Sequence, residues 1–146
     1  MSAQDNMATQ ERLANAVNTG HLDDLDEVFA RNVVDHDPAP GQARGPEGFK
    51  QFFSGLRRSF PDLHLAAEHV DTTDDDIALA YTITGTHKGD FLGVAPTGKR
   101  ISVRGMQIAR FEGGKIAERW GSSDELGILK QLGVMSQHAA PPAPQP

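Results

Sequence analysis

The sequence predicts an α+β fold: a strongly curved, mixed and largely antiparallel sheet packed on three N-terminal helices, cone-shaped, with a central pocket. Helical apolar spacing dominates the first part of the chain, and strand-like, β-branched segments follow from "LHLAAEHV" onward. The connection "EGG" then joins two long strand-like runs as a hairpin. Helices first and a meander afterwards exclude an alternating βαβ order. A bent sheet wrapped on an apolar helix leaves a hollow with one open mouth, a common place for a small-molecule pocket.

Residues 4–19 carry Met7, Leu13, Ala14 and Val17 at helical spacing, and Gly20 supplies a stop. "HLDDLDEVFARNVVDH" predicts a second, shorter helix through Leu22, Leu25, Val28 and Phe29, and a short strand follows at "VVDHDP". Gly45-Pro46 opens the third helix, with Phe49, Phe52, Phe53, Leu56 and Phe60 along one face and Pro61 at its close. That face needs a broad apolar partner, and a sheet provides one. The strands expected next are "LHLAAEHV", "IALAYTITGTH", "KRISVRGMQIARF" and "KIAERWGSS", with a glycine- and proline-rich loop "KGDFLGVAPTG" between the second and third. One domain over 1–136 follows, with a disordered Pro/Ala-rich tail over 137–146.

A formal charge of -6 argues against nucleic-acid binding, because no basic stripe is present to neutralise phosphates. With no cysteine, a disulfide framework, a Cys–zinc site and a thiol nucleophile are all excluded. The N-terminal residues lack a basic start and apolar run, and no segment is long and apolar enough for a bilayer, so a cytoplasmic protein is expected. Phosphate-binding loops, dinucleotide fingerprints and GxSxG are missing, which leaves hydride and phosphoryl transfer unsupported.

Alternation along the last strand puts Ile116, Glu118, Trp120, Ser122 and Asp124 on one face, expected to be the pocket side. Arg119 and its small neighbours then face outward, toward a surface suited to a homodimer or higher homo-oligomer. On the preceding strand Gln107 shares a face with Val103, Gly105, Ala109 and Phe111, and that face is paired with the pocket; a β-bulge at Gly105 would flip everything beyond it. Asp124 admits two readings. It starts the helix "DELGILKQLG", where Ser122-x-x-Glu125 fits a capping box, or it faces the cavity and moves protons.

Asp35, His36 and Asp37 cannot converge on a metal, since adjacent strand residues point to opposite faces, and no metal site is expected. His36 is a candidate pocket histidine. His87 is either a proton carrier or a loop residue bonded to backbone. Phe53 is a further candidate for the pocket wall, and Tyr81, the sole tyrosine, belongs either to the core or to that wall.

The chain resembles the SnoaL-like polyketide cyclases, within the nuclear-transport-factor-2-like superfamily. The resemblance rests on "GTHKGDFLG", on "VVDHDPAPGQARGPEGFKQFFSGLRRSFPDL", and on "ARFEGGKIAERWGSSDELGILKQLG". It implies an aspartate at Asp124 acting as acid and base in an intramolecular aldol ring closure, with no cofactor, on an apolar or polyketide-like small molecule. His36, Gln107 and Trp120 would then hold carbonyl oxygens and the ring system. An apolar pocket would raise the aspartate from about 3.9 toward neutrality, where it both takes and returns a proton. The alternatives are a non-catalytic binding domain of the same fold, or a hydratase or hydrolase using Asp124 with His36 or His87. An epoxide hydrolase of this superfamily is disfavoured because Gln107 stands where an acid is expected.

Overall fold

The computed structural model describes residues 2–134, so the tail expected over 137–146 lies outside the described residues. In chain order the elements are α1 (Ala3–Thr19), a 3₁₀ turn (Leu22–Glu27), β1 (Phe29–Asp35), α2 (Pro46–Ser59), β2 (His64–Thr72), β3 (Asp76–Thr86), β4 (Arg100–Glu112), β5 (Lys115–Ser123) and α3 (Glu125–Gln131). The five strands form one mixed sheet in the order β1-β5-β4-β3-β2. β1 runs parallel to β5, and every other neighbouring pair is antiparallel.

This confirms the α+β class and corrects two details. The sheet is open, neither closed nor strongly curled, so the cone is not required to make the cavity. Two α-helices, not three, precede the meander. The expected second helix shrinks to the 3₁₀ turn, and the strand begins at Phe29. Leu25, Val28 and Phe29 are buried there, as the apolar pattern demanded, but only one short turn separates the helix stop Gly20 from a strand start.

Ser2 and Asp5 form a reciprocal capping box on α1, and Gly20 closes it in the left-handed conformation. α1 is then pinned over the sheet at both ends. Asn6 Nδ2 donates to the Asp74 carbonyl (2.9 Å) and Thr9 Oγ1 to the Gly114 carbonyl (2.5 Å), fastening its first half across the β2–β3 and β4–β5 turns. At its other end Asn18 bonds both backbone groups of Leu65 on edge strand β2.

α2 begins at Pro46, and its stripe is only partly covered. Phe49 stacks on Phe29 at 4.0 Å, and Phe60, at the C-cap, is fully buried. Phe53 and Leu56 are half-buried and Phe52 is exposed. An apolar stripe left uncovered in its middle marks the edge of a cavity between helix and sheet.

The register of β5 decides which of its side chains enter that cavity. Phe111 pairs with Ile116 but Arg110 pairs with Glu118, so Ala117 is an extra residue, a β-bulge. Ile116 and Ala117 are both buried, and beyond them the faces exchange: Arg119 turns inward, Glu118 and Trp120 outward.

Candidate active site

Arg119 and Asp35 are adjacent in the parallel β1–β5 register and point to the same, helix-facing side of the sheet. Arg119 Nη1 donates to Asp35 Oδ1 at 3.0 Å, and Arg119 Nε donates to Gln107 Oε1 at 3.0 Å. Gln42 Nε2 donates to Asp35 Oδ2 (3.0 Å), and the Asp37 amide donates to Asp35 Oδ1 (3.0 Å). The Asp35 side chain retains 7% of its accessible surface and that of Arg119 17%. A pair withdrawn from water to this degree persists only when both charges are compensated, and the two glutamines complete that compensation.

Room for the guanidinium comes from a missing side chain. A Cβ on Gly121, two residues along β5, would overlap the Arg119 guanidinium, and a Cβ on Gly105 would overlap the Tyr81 ring. Two glycines inside neighbouring strands thus let Arg119 and Tyr81 lie flat on the sheet. Burial pushes the Tyr81 phenol above its ordinary range, and the nearby Arg119 charge only partly opposes this. Tyr81 therefore stays a neutral hydroxyl donor at physiological pH.

Two connected hollows flank this cluster. The outer one, about 350 Å³, opens between the loop at Asp37–Gln42, α2 and the end of β5, and has Asp35, Gln42, Gln107 and Arg119 on its wall. The inner one, about 170 Å³, lies between α1, α2, β2 and β3 and is mainly apolar, with Gln10, Glu11 and Ser123 also on its wall. Leu13, Phe52, Phe53, Gln107, Arg119 and Ser123 line both, so Arg119 stands at the join of a polar vestibule and an apolar chamber.

Of the residues singled out in the sequence, Gln107, Phe53 and Tyr81 lie on the cavity wall. The bulge at Ala117 removes Trp120 to the outer face of the sheet. There its ring stacks on His36 at 4.6 Å, and His36 Nε2 sits 2.9 Å from Glu118 Oε1. Hydrogen bonds from His36 and Arg110 hold the Glu118 carboxylate below its usual range, so this cluster is an outer-surface ion network. Neither His36 nor Trp120 reaches the cavity. His87 is fully buried in the loop after β3, where its Nδ1 accepts the Thr97 amide (3.1 Å) and its ring lies against Phe60; it too lines neither hollow.

Asp124 is exposed and caps α3: its Oδ1 accepts the Gly127 amide at 2.8 Å, and it is on the wall of neither hollow. The N-cap is therefore Asp124 itself, and Ser122, still in β5, forms no capping box. Asp124→Ala is expected to lower stability by about 1 kcal/mol through loss of the cap. Asp124→Asn, which keeps an acceptor, is expected to restore most of it, as thermal unfolding would show.

Asp35 and Arg119 were missed because uninterrupted alternation puts Arg119 outside. The signal was available in Gly105 and Gly121, glycines lying within predicted strands. Among the described residues no group of three His, Asp or Glu side chains converges to hold a metal ion. No helix among them is long and apolar enough to cross a membrane.

An α+β domain with Arg119 between a polar vestibule and a mainly apolar chamber, and Asp35 on the vestibule wall, has the form of many small-molecule sites. The chain belongs to the SnoaL-like polyketide cyclase family, whose model matches residues 7–132. It is 30% identical over 128 residues to the aklanonic acid methyl ester cyclase DauD of Streptomyces sp. (strain C5), covering 84% of this chain and 78% of that protein. The nogalonic acid methyl ester cyclase of Streptomyces nogalater is 29% identical over 125 residues, covering 83% and 92% respectively. Among solved structures, TsrD from Streptomyces laurentii superposes with a TM-score of 0.84 at 27% identity, over 92% of this chain and 98% of that one. IdmH from Streptomyces antibioticus gives 0.78 at 32% identity, over 88% and 99%.

Proposed function

We propose that this protein closes a ring in a small polyketide ester by a cofactor-independent intramolecular aldol reaction, with Asp35 as acid and base and Arg119 as the enolate-stabilising group. The observation that carries the reading is the nearly buried Asp35–Arg119 pair at the join of the two hollows. The family and its named ester cyclases supply the reaction class.

A carbon flanked by two carbonyls is already acidic, because its enolate spreads charge over both oxygens. In the proposed sequence Asp35 takes that proton while Arg119 and the Gln107 amide face a carbonyl oxygen on which negative charge develops. A fixed guanidinium in a site largely closed to water stabilises such charge without reorganising, which is the larger electrostatic share of catalysis. The carbanion then attacks the ketone carbon of the same molecule, forming one C–C bond and an alkoxide. Tyr81, held neutral by burial, donates a hydrogen bond to that oxygen, and the proton on Asp35 returns to it. No atom is gained or lost. Folding the chain within the cavity so that carbanion and ketone meet supplies the remaining gain.

The test is turnover of nogalonic acid methyl ester by the wild-type, Asp35→Asn, Arg119→Met and Asp124→Asn proteins. Ring closure is expected from the wild type and the Asp124 variant, and its loss in the other two. Unchanged turnover by Asp35→Asn would overturn the assignment.

The second part of the proposal concerns assembly. Val34, Met106, Ile108 and Trp120 are exposed on the outer face of the sheet; alternation in β4 puts Met106 and Ile108 there, and the bulge in β5 adds Trp120. An uncovered antiparallel face of this composition calls for a cover, and a second copy of the chain supplies it as a homodimer. Ile108→Glu is expected to halve the mass seen by sedimentation equilibrium.

A further inference from the structure

We propose that Gln10 is a specificity-determining residue, whose side-chain amide recognises a ring hydroxyl at the α1 end of the inner chamber. The inference deepens the proposed function and rests on its reading of the cavity as the ligand site.

Gln10 is on α1, in the half of that helix fastened across the β2–β3 and β4–β5 turns by Asn6 and Thr9. Those turns are at the end of the sheet away from the Asp37–Gln42 loop that borders the vestibule, so Gln10 is at the deep end. It lines the inner chamber alongside Met7, Leu13 and Val70, with the exposed Glu11 at the rim. The residue keeps 7% of its accessible surface, and its Oε1 has no hydrogen-bond partner in the protein. Buried polar atoms are nearly always paired, because an unpaired one forfeits its bond to water and gains nothing in return. Leucine or methionine would fill this position at no such cost.

At the other pole of the chamber, Arg119 donates to both Gln107 and Asp35. A guest that meets the Arg119 pole with its reacting carbonyls therefore presents its distal ring to Gln10. A hydroxyl suits that position best, since it both donates and accepts and so pairs with the amide in either orientation. The substrate class this describes is a flat apolar ring system with its carbonyls at one end and a phenolic or alcoholic hydroxyl at the other.

The experiment compares binding of 2-naphthol and 2-methylnaphthalene, which differ by hydroxyl against methyl, to the wild-type and Gln10→Met proteins by calorimetry. The wild type is expected to prefer 2-naphthol by about tenfold, the usual worth of a hydrogen bond to an otherwise unsatisfied buried group. Gln10→Met is expected to hold 2-methylnaphthalene at least as well and to lose the preference. An unchanged preference in Gln10→Met overturns the inference, and so does failure of either aromatic to bind, which removes the cavity reading with it. Loss of the preference in Gln10→Met, in a wild type that closes no ring on nogalonic acid methyl ester, would sustain the Gln10 assignment and sink the aldol reading instead.

Discussion

Under the proposed mechanism, Asp35→Asn and Arg119→Met are each expected to cut ring closure toward background, and the double variant is expected to be no less active than either single one and more stable than both. The expected losses are about 10²- to 10⁴-fold for the acid/base and about 10²- to 10³-fold for the donor to the enolate oxygen. They do not add, because the two groups act on the same transition state and either loss alone disables it. Stability follows a different rule. Taking away one member of a nearly buried ion pair strands the other, at a cost of about 3 kcal/mol here, since Arg119 keeps some contact with water. Taking away both strands neither charge: the amide oxygen at position 35 still accepts from Gln42 and the Asp37 amide, and Gln107, which loses its bond from Arg119, is only half-buried on the vestibule wall. A thermal unfolding midpoint for the double variant that recovers toward wild type, with activity still absent, separates chemistry from folding. If the double variant were as unstable as the singles and the Asp35→Asn protein still turned over substrate, the pair would be a structural brace and the acid/base would lie elsewhere.

Why the pair escaped a reading of the sequence is a matter of one residue. The period of two in β4 was legible: Val103, Gly105, Gln107, Ala109 and Phe111 do share the inner face. Helix starts at Pro46 and stops at Gly20 and Pro61 were legible too, because capping and backbone chemistry act locally. In β5, alternation continued through Ala117 assigns every later side chain to the wrong face, so His36's partner Trp120 was expected in the pocket and Arg119 outside it. The break is faintly visible as two successive apolar residues, Ile116 and Ala117, in an otherwise alternating run. The juxtaposition of Asp35 with Arg119 is beyond any local pattern. It depends on β1 pairing parallel with a strand 84 positions further on, a contact fixed only when the whole sheet forms. Asp124 shows the converse. Its local capping chemistry, one of the two readings, is what the structure contains.

Gly89→Ala is expected to be the most destabilising single change in the "GTHKGDF" run, at about 3 kcal/mol, or roughly 10 °C in the unfolding midpoint for a chain of this size. A Cβ at Gly89 would fall inside the Arg58 carbonyl group at the end of α2. A similar overlap at Gly105 is relieved by turning the Tyr81 ring, and at Gly121 by moving the Arg119 guanidinium, because in both the obstacle is the end of a side chain. At Gly89 both partners are backbone, and they are tied together. The Lys88 and Gly89 amides donate to the Ser59 carbonyl at 2.9 and 3.1 Å, and Ser59 Oγ donates to the Asp90 carbonyl at 2.5 Å. His87, one residue earlier in that tie, locks the loop to Thr97. Gly89 does not adopt a positive φ, so alanine meets no backbone strain and even stiffens the unfolded chain, a gain of about 0.4–1 kcal/mol that the overlap must outweigh. Relief requires the loop to lift off α2, which breaks the two bonds to Ser59 and displaces Phe91 from Phe60. Amide exchange at Lys88 and Gly89 should then quicken together with the drop in midpoint. A midpoint within about 2 °C of wild type, with those amides still protected, would mean that the loop yields without leaving α2 and that this run serves the fold less than its packing implies.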